Sequence, residues 1–226
     1  MNMLKGYNTG HFPVGNFNSD VSFVGRQPIL DRHEKISGFE LLFRPGDCPE
    51  AGVKNIFHAS MNVLLSFLGN MEIQEAIGPR KRGFLNVGRD LLMSDMIEWV
   101  PKDRMIIELL ETIKIDRSVI TRCRKLKEMG FHLALDDFIY DPVYDPLLEL
   151  VDIVKIDLLQ TTPSSIQETV ARLKPYPVTL LAEKVESLSQ YEDASAMGFD
   201  LFQGYYFARP TVISGKRIKS AEIIMA

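Results

Sequence analysis

The sequence predicts an α/β fold, a (β/α)8 TIM-like barrel with an irregular, antiparallel first strand. Three observations carry this expectation. Short β-rich runs alternate with helical runs along most of the chain, the pattern of parallel strands joined by crossover helices. About eight such strands fall within about 200 residues, which suits a closed barrel. An open doubly wound sheet is the alternative, but no glycine-rich strand-to-helix turn supports it.

The elements follow in order. "VSFVGRQPIL" reads as a strand and "ISGFELLFR" as its partner. The turn "DRHEK" between them is tight, so this first pair is antiparallel. "KNIFHASMNVLLSFLG" has helical spacing of Ile56, Met61, Leu64, Leu65 and Leu68. "GFLNVG" is a short strand, "LLMSDMIEWV" a helix and "MIIELLE" a strand. "DRSVITRCRKLKEMG" is a helix capped by Asp116 and stopped by Gly130. "HLALDDF" is a strand, "PLLELV" a helical turn and "IVKIDLL" a strand. "TPSSIQETVARLK" is a helix opened by Thr or Ser, and "VTLLAEKVE" a strand. "SLSQYEDASAMG" is a helix closed by glycine, and "LFQGYYF" is the last strand. The expected organisation is a flexible lead-in over 1–20, a barrel domain over 21–212, and a tail or linker over 213–226.

Composition narrows the class. Of 226 residues, 46% are hydrophobic and 25% charged, enough apolar side chains for a sizeable core. A net charge of −4 and only short basic runs, "PRKR" and "GKRIK", argue against DNA or RNA as a partner. The two cysteines, Cys48 and Cys123, are far apart and form neither a metal spacing nor a disulfide framework. No apolar run of about 18 residues and no signal-peptide pattern is visible, so the expectation is a cytoplasmic chain with no membrane segment. The four histidines, His11, His33, His58 and His132, are scattered without ligand spacing.

Nearly every strand delivers a polar residue towards the loop that follows: Glu40, Asn86, Glu108, Asp136 with Asp137, Lys155, Glu183 and Gln203. A lone carboxylate at a strand end is most often a cap or a surface charge. The same placement on successive strands is different, because a barrel brings those ends to one face. Converging carboxylates raise one another's pKa values unless a cation compensates them. All the donors here are oxygens, which favours Mg²⁺ or Mn²⁺ over Zn²⁺. The adjacent pair Asp136 and Asp137 suits a bridge between two ions about 3.5–4 Å apart, the usual apparatus of phosphoester hydrolysis.

These residues lie in motifs that resemble the EAL domain, the bacterial cyclic-di-GMP phosphodiesterase module, over residues 23–210. "RQPILD" resembles its opening strand and "FELLFR" its ExLxR motif. "FLNVG", "IIELLE", "LALDDF", "IVKID", "LLAEKVES" and "LFQGYYFARP" match its later motifs in the same order. The stretch "FVGRQPILDRHEKISGFELLFR" most resembles the EAL half of proteins that pair EAL with an HDOD domain, and the tail resembles the linker between the two.

The resemblance implies metal-dependent hydrolysis of cyclic-di-GMP to linear pGpG in bacterial signalling, with two ions, Mg²⁺ or Mn²⁺. It implies that Glu40, Asn86, Glu108 and Asp136 hold one ion, and that Asp136, Asp137 and Glu183 hold the second. Lys155 and Glu183 are the implied catalytic residues, Lys155 contacting the attacking water. Gln27, Arg44 and Gln203 are the implied substrate contacts, and Glu186 the residue that braces the loop after the DDF strand. The implied protein partners are a second copy of the chain in a homodimer and an HDOD domain C-terminal in a longer parent protein.

Two departures from the family pattern stand out. Lys184 replaces the glycine of "AEGVE", and "IYDPVYDPL" replaces the "GTGYSSL" that usually follows DDF. Prolines 142 and 146 stiffen that loop, and Asp141 and Asp145 read as turn residues. The alternative expectation is therefore a degenerate EAL domain that acts as a cyclic-di-GMP receptor or a protein-interaction module without turnover.

Overall fold

The structure, a computed structural model, describes residues 21–44, 56–69, 74–75 and 77–216. The expected lead-in over 1–20 and the expected tail beyond 216 lie outside the described residues. The strands are β1 (Val21–Asp31), β2 (Ile36–Arg44), β3 (Arg82–Val87), β4 (Met105–Leu109), β5 (His132–Leu135), β6 (Ile153–Asp157), β7 (Thr179–Glu183), β8 (Leu201–Phe202) and β9 (Thr211–Lys216). The helices are α1 (Ile56–Gly69), α2 (Arg89–Met93), α3 (Arg117–Glu128), α4 (Asp145–Leu148), α5 (Pro163–Leu173) and α6 (Leu188–Met197).

Strands β2 to β8 run parallel in sequence order, and β1 pairs antiparallel with both β2 and β8. That double pairing closes an eight-stranded barrel with one reversed strand, as the sequence predicts. The reversal follows from the tight turn at its base. Asp31 Oδ1 accepts hydrogen bonds from the N–H groups of His33 (2.8 Å) and Lys35 (2.9 Å) and folds the chain straight back.

Strand β9 was not expected. It lies antiparallel on Val21–Arg26 of β1, beside the part of that long strand that β8 does not reach. The expected boundary at 212/213 therefore falls inside a strand. Other ends also differ from the sequence reading. The helix expected over 91–100 divides at Ser94, which is extended (ψ 158°) and whose Oγ donates to Leu91 O at 2.9 Å. A 3-10 turn, Asp95–Trp99, follows. Strand β7 stops at Glu183 because Lys184 takes a left-handed conformation, φ 55°.

The helices obey their caps. Asp116 accepts from the N–H groups of Ser118 (2.9 Å) and Val119 (3.0 Å), and Thr162 and Ser187 cap α5 and α6. Gly130 and Gly198, at φ 89° and 109°, end α3 and α6 as expected. The outward faces of the strands pack against the helices through Leu85, Ile107, Leu133, Val154 and Leu180, meeting Phe67, Cys123, Leu126, Val170 and Ala194. Each large side chain buried there contributes about 1.5–3 kcal/mol. No described helix is long and apolar enough to cross a membrane.

Candidate active site

The period of a β-strand builds the site. Ile29, Phe84, Ile106, Ala134, Ile153 and Leu181, with Leu201 against them, form a separate apolar cluster inside the barrel. Side chains two residues apart share a face. Two residues beyond Phe84, Ile106, Ala134, Ile153, Leu181 and Leu201 stand Asn86, Glu108, Asp136, Lys155, Glu183 and Gln203. On reversed β1 the step runs backwards, from Ile29 to Gln27. On β2 it runs from Gly38 to Glu40. A Cβ at Gly38 would lie 2.7 Å from Arg82 O and 3.3 Å from Phe84 Cε2, so the close approach of β3 requires glycine there. One polar layer therefore sits on one apolar floor, at the end where the parallel strands finish. The register confirms the level: Asn86 lies beside Glu108, and Gln27 beside Glu40.

Lys155 is the centre of this layer. Its side chain is 1% exposed and that of Glu108 0%. Its ammonium pairs with Glu108 Oε1, Asp136 Oδ1 (2.9 Å) and Glu183 Oε1 (2.8 Å). Glu40 completes the ring from the far side: Asn86 Nδ2 donates to its Oε1 at 3.1 Å and Gln203 Nε2 to its Oε2 at 2.6 Å. Gln203 Nε2 also donates to Gln27 Oε1 (3.1 Å), and Gln27 Nε2 to Ala208 O (3.2 Å). The structure thus brings together Gln27, Glu40, Asn86, Glu108, Asp136, Lys155, Glu183 and Gln203. Arg44 ends β2, but its side chain lies outside the described residues.

Four carboxylates face one lysine, and the charges show it. Burial pushes the Glu108 carboxyl well above its ordinary range, and Lys155 only partly offsets this. Burial also raises Glu183, to about 7, against the pull of Lys155. At Asp136 burial acts the same way, but Lys155 and the hydrogen bonds outweigh it and hold the carboxyl down. Burial works against the Lys155 ammonium, yet Glu108, Glu183, Glu40 and Asp136 together keep it firmly protonated.

The residues fit a divalent ion on an independent ground. Asn86 Oδ1, Glu108 Oε2, Glu183 Oε2 and Gln203 Oε1 are buried without a hydrogen-bond partner. A buried acceptor left unpaired is costly. All four are oxygens, the donor type that hard cations take.

The second aspartate has a different neighbourhood. Asp137 is left-handed, φ 38°, and burial and Asp136 raise its pKa. Its carboxylate, that of Asp136 and that of Glu111 each offer an oxygen within 4.8 Å of one another, a group that could hold a metal. Glu111 was missed from the sequence, although its position three residues after Glu108 in "ELLE" was the available signal. Glu186 is exposed, and its backbone N–H donates to Gln190. Among the described residues, the tie from the end of β7 to the loop after β5 is made by Lys184. Its ammonium pairs with Asp157 Oδ2 and lies 3.8 Å from Asp137 Oδ1.

The loop after β5 is rigid for local reasons. Phe138 is buried edge-on against Tyr144, Asp141 caps the turn Pro142–Tyr144, and the Tyr140 hydroxyl donates to Asp145 Oδ1 at 3.0 Å. Gly204 holds the other side of the layer, because a Cβ there would lie 2.1 Å from Val185 O. Gly204→Ala is therefore expected to displace Gln203 and to destabilise the fold by about 3 kcal/mol. A thermal melt lowered by roughly 10 °C checks this.

The comparisons with known proteins agree with this fold. The EAL domain model matches residues 60–210. The chain belongs to the EAL domain family. Protein YuxH of Bacillus subtilis is 36% identical over 198 residues, which are 85% of this chain and 48% of YuxH. Cyclic di-GMP phosphodiesterase CdgJ of Vibrio cholerae is 31% identical over 213 residues, 90% of this chain and 48% of CdgJ. This EAL domain spans about half the length of both relatives. Among solved structures, an EAL domain protein of Listeria monocytogenes superposes with a TM-score of 0.63 at 25% identity, over 84% of this chain and 88% of that one. The Bacillus subtilis YkuI protein, solved with its substrate c-di-GMP and calcium, shares the fold at a TM-score of 0.67 and 20% identity, over 88% of this chain and 56% of that one.

Proposed function

We propose that this EAL domain hydrolyses one phosphodiester of cyclic-di-GMP to give linear pGpG, using two divalent ions, Mg²⁺ or Mn²⁺. The observation that carries the reading is the polar layer itself: Glu40, Glu108, Asp136 and Glu183 around Lys155, with buried oxygens of Asn86, Glu108 and Glu183 lacking a donor. The substrate class is supported by the activity in the name of the Vibrio cholerae relative.

In this reading Glu40, Asn86, Glu108 and Asp136 hold one ion, and Asp136, Asp137 and Glu183 hold the other. The ions, when bound, supply charge neutralisation and water activation at the phosphodiester. Lys155 orients the attacking water and stabilises its ionised form by its fixed positive charge. Water oxygen bonds to phosphorus and stays in the new 5′-phosphate, the P–O3′ bond breaks, and the 3′ oxygen leaves with the proton that the water gives up. Gln27 and Gln203 orient the dinucleotide from β1 and the end of β8. Arg44 pairs its planar fork with a phosphate. Glu186, in the connection between β7 and α6, is the residue assigned to brace the loop after β5. A second copy of the chain and a C-terminal HDOD domain are the protein partners that go with the reading.

Receptor function without turnover is the second reading. The rewritten loop and the ammonium placed beside Asp137 favour it. Incubation with cyclic-di-GMP and Mg²⁺ or Mn²⁺ separates the two. Turnover is expected, its loss on full chelation, and its return when either ion is restored. An undiminished rate in a fully chelated sample overturns the metal-dependent mechanism.

A further inference from the structure

Among the described residues three non-glycine residues have positive φ, and two of them face each other at the site. Asp137 (φ 38°) directly follows Asp136 at the end of β5, and Lys184 (φ 55°) directly follows Glu183 at the end of β7. A side chain disfavours this conformation, so something must hold each residue there. Strand β6 lies between the two, and its last residue, Asp157, holds the Lys184 side chain. Asp157 has a side chain only 3% exposed. One of its oxygens accepts from the N–H groups of Leu159 (2.7 Å) and Gln160 (3.2 Å). The other pairs with the Lys184 ammonium, which also stands 3.8 Å from Asp137 Oδ1. The same Asp137 carboxylate belongs to the group of oxygens, with Glu111 and Asp136, that could hold a metal.

The geometry points to Lys184 as a tethered competitor for the second divalent ion, its ammonium standing on the Asp137 side of the site that the ion would fill. The inference rests on the proposed assignment of Asp136, Asp137 and Glu183 to that ion. An ammonium and a divalent cation a few ångströms apart repel, and at this half-exposed position water weakens the repulsion without cancelling it. The ion therefore binds there only against Lys184 or after its ammonium withdraws. Withdrawal is available, because the Lys184 side chain is 45% exposed while Asp157 keeps its two backbone donors. Lys155 does not distinguish the two ions, since it pairs with Glu108 and Asp136 of one set and with Asp136 and Glu183 of the other, whereas Lys184 stands beside Asp137 alone. The two ions are therefore unequal: the one beside Asp137 meets an additional positive charge and binds more weakly than the other.

Titration of the full chain with Mn²⁺, read from the electron paramagnetic resonance of the free ion, tests this. The expected result for the natural chain is one tight ion and a second at least about tenfold weaker. Lys184→Gly suits φ 55° without strain, and Lys184→Asn removes the charge while tolerating the same backbone. Each is expected to tighten the second ion about tenfold and leave the first unchanged, whereas Lys184→Arg keeps the natural pattern. Two equally tight ions in the natural chain, or identical constants in the natural chain and both neutral variants, overturn the competitor role and leave the hydrolytic reading standing. Failure of Mn²⁺ to bind to any of these proteins overturns both.

Discussion

Lys155→Met is expected to lower the melting temperature of the metal-free protein by roughly 10 °C and to slow hydrolysis at least about 100-fold. The stability loss follows from burial. The ammonium is the cation that Glu108, Asp136 and Glu183 share, and Glu108 has no exposure to water. Removing one partner of a buried ion pair leaves uncompensated charge and costs about 3–5 kcal/mol. The methionine stem fills the same space, so the effect reports charge rather than a cavity. Divalent ions are expected to recover most of the lost stability, because they bring positive charge to the same oxygens. Activity is not expected to recover with it, since the fixed charge beside the attacking water is gone. Melting curves with and without Mg²⁺ check the first part, and an unchanged metal-free melt contradicts the central place given to Lys155.

Asp136→Asn is expected to reduce turnover about 1,000-fold with little change in the fold. The two side chains have the same shape, and Lys155 keeps Glu108 and Glu183 as partners. What is lost is the one carboxylate that both proposed ion sets share and that also faces Glu111 and Asp137. Losing a charge there weakens both ions at once, whereas a change at Asn86 or Asp137 touches only one of them. Steady-state rates over a range of Mn²⁺ concentration check this. Natural turnover in the variant contradicts the bridging role.

Much of this layer was legible before the structure. The step of two residues from an apolar to a polar position, repeated on successive strands, is visible in "FLN", "IIE", "LALD", "IVK" and "LLAE" once each run is read as a strand. The reversed β1 was legible because a five-residue turn cannot accommodate a parallel crossover. Strand β9 was not, because its "TVISGK" is short, contains a glycine and pairs along β1, a contact nearly 200 residues distant in sequence. The break at Ser94 is held by local bonds to Leu91 O and by the distant Arg122, whose guanidinium donates to Ser94 O, inside an otherwise helical pattern. Lys184 was legible as a departure but not as an ion pair, since its partners come from the ends of two other strands. Glu111 was hidden for the opposite reason, lying beyond the end of β4 where alternation no longer predicts direction.

Hydrolysis at this metal site is tested most directly by following purified protein with cyclic-di-GMP and Mg²⁺ or Mn²⁺ and separating the products by anion exchange over time. Metal-dependent conversion of cyclic-di-GMP to linear pGpG as the first product is the expected result. Cyclic-di-GMP that stays intact in the presence of either ion contradicts it, whether or not the dinucleotide binds.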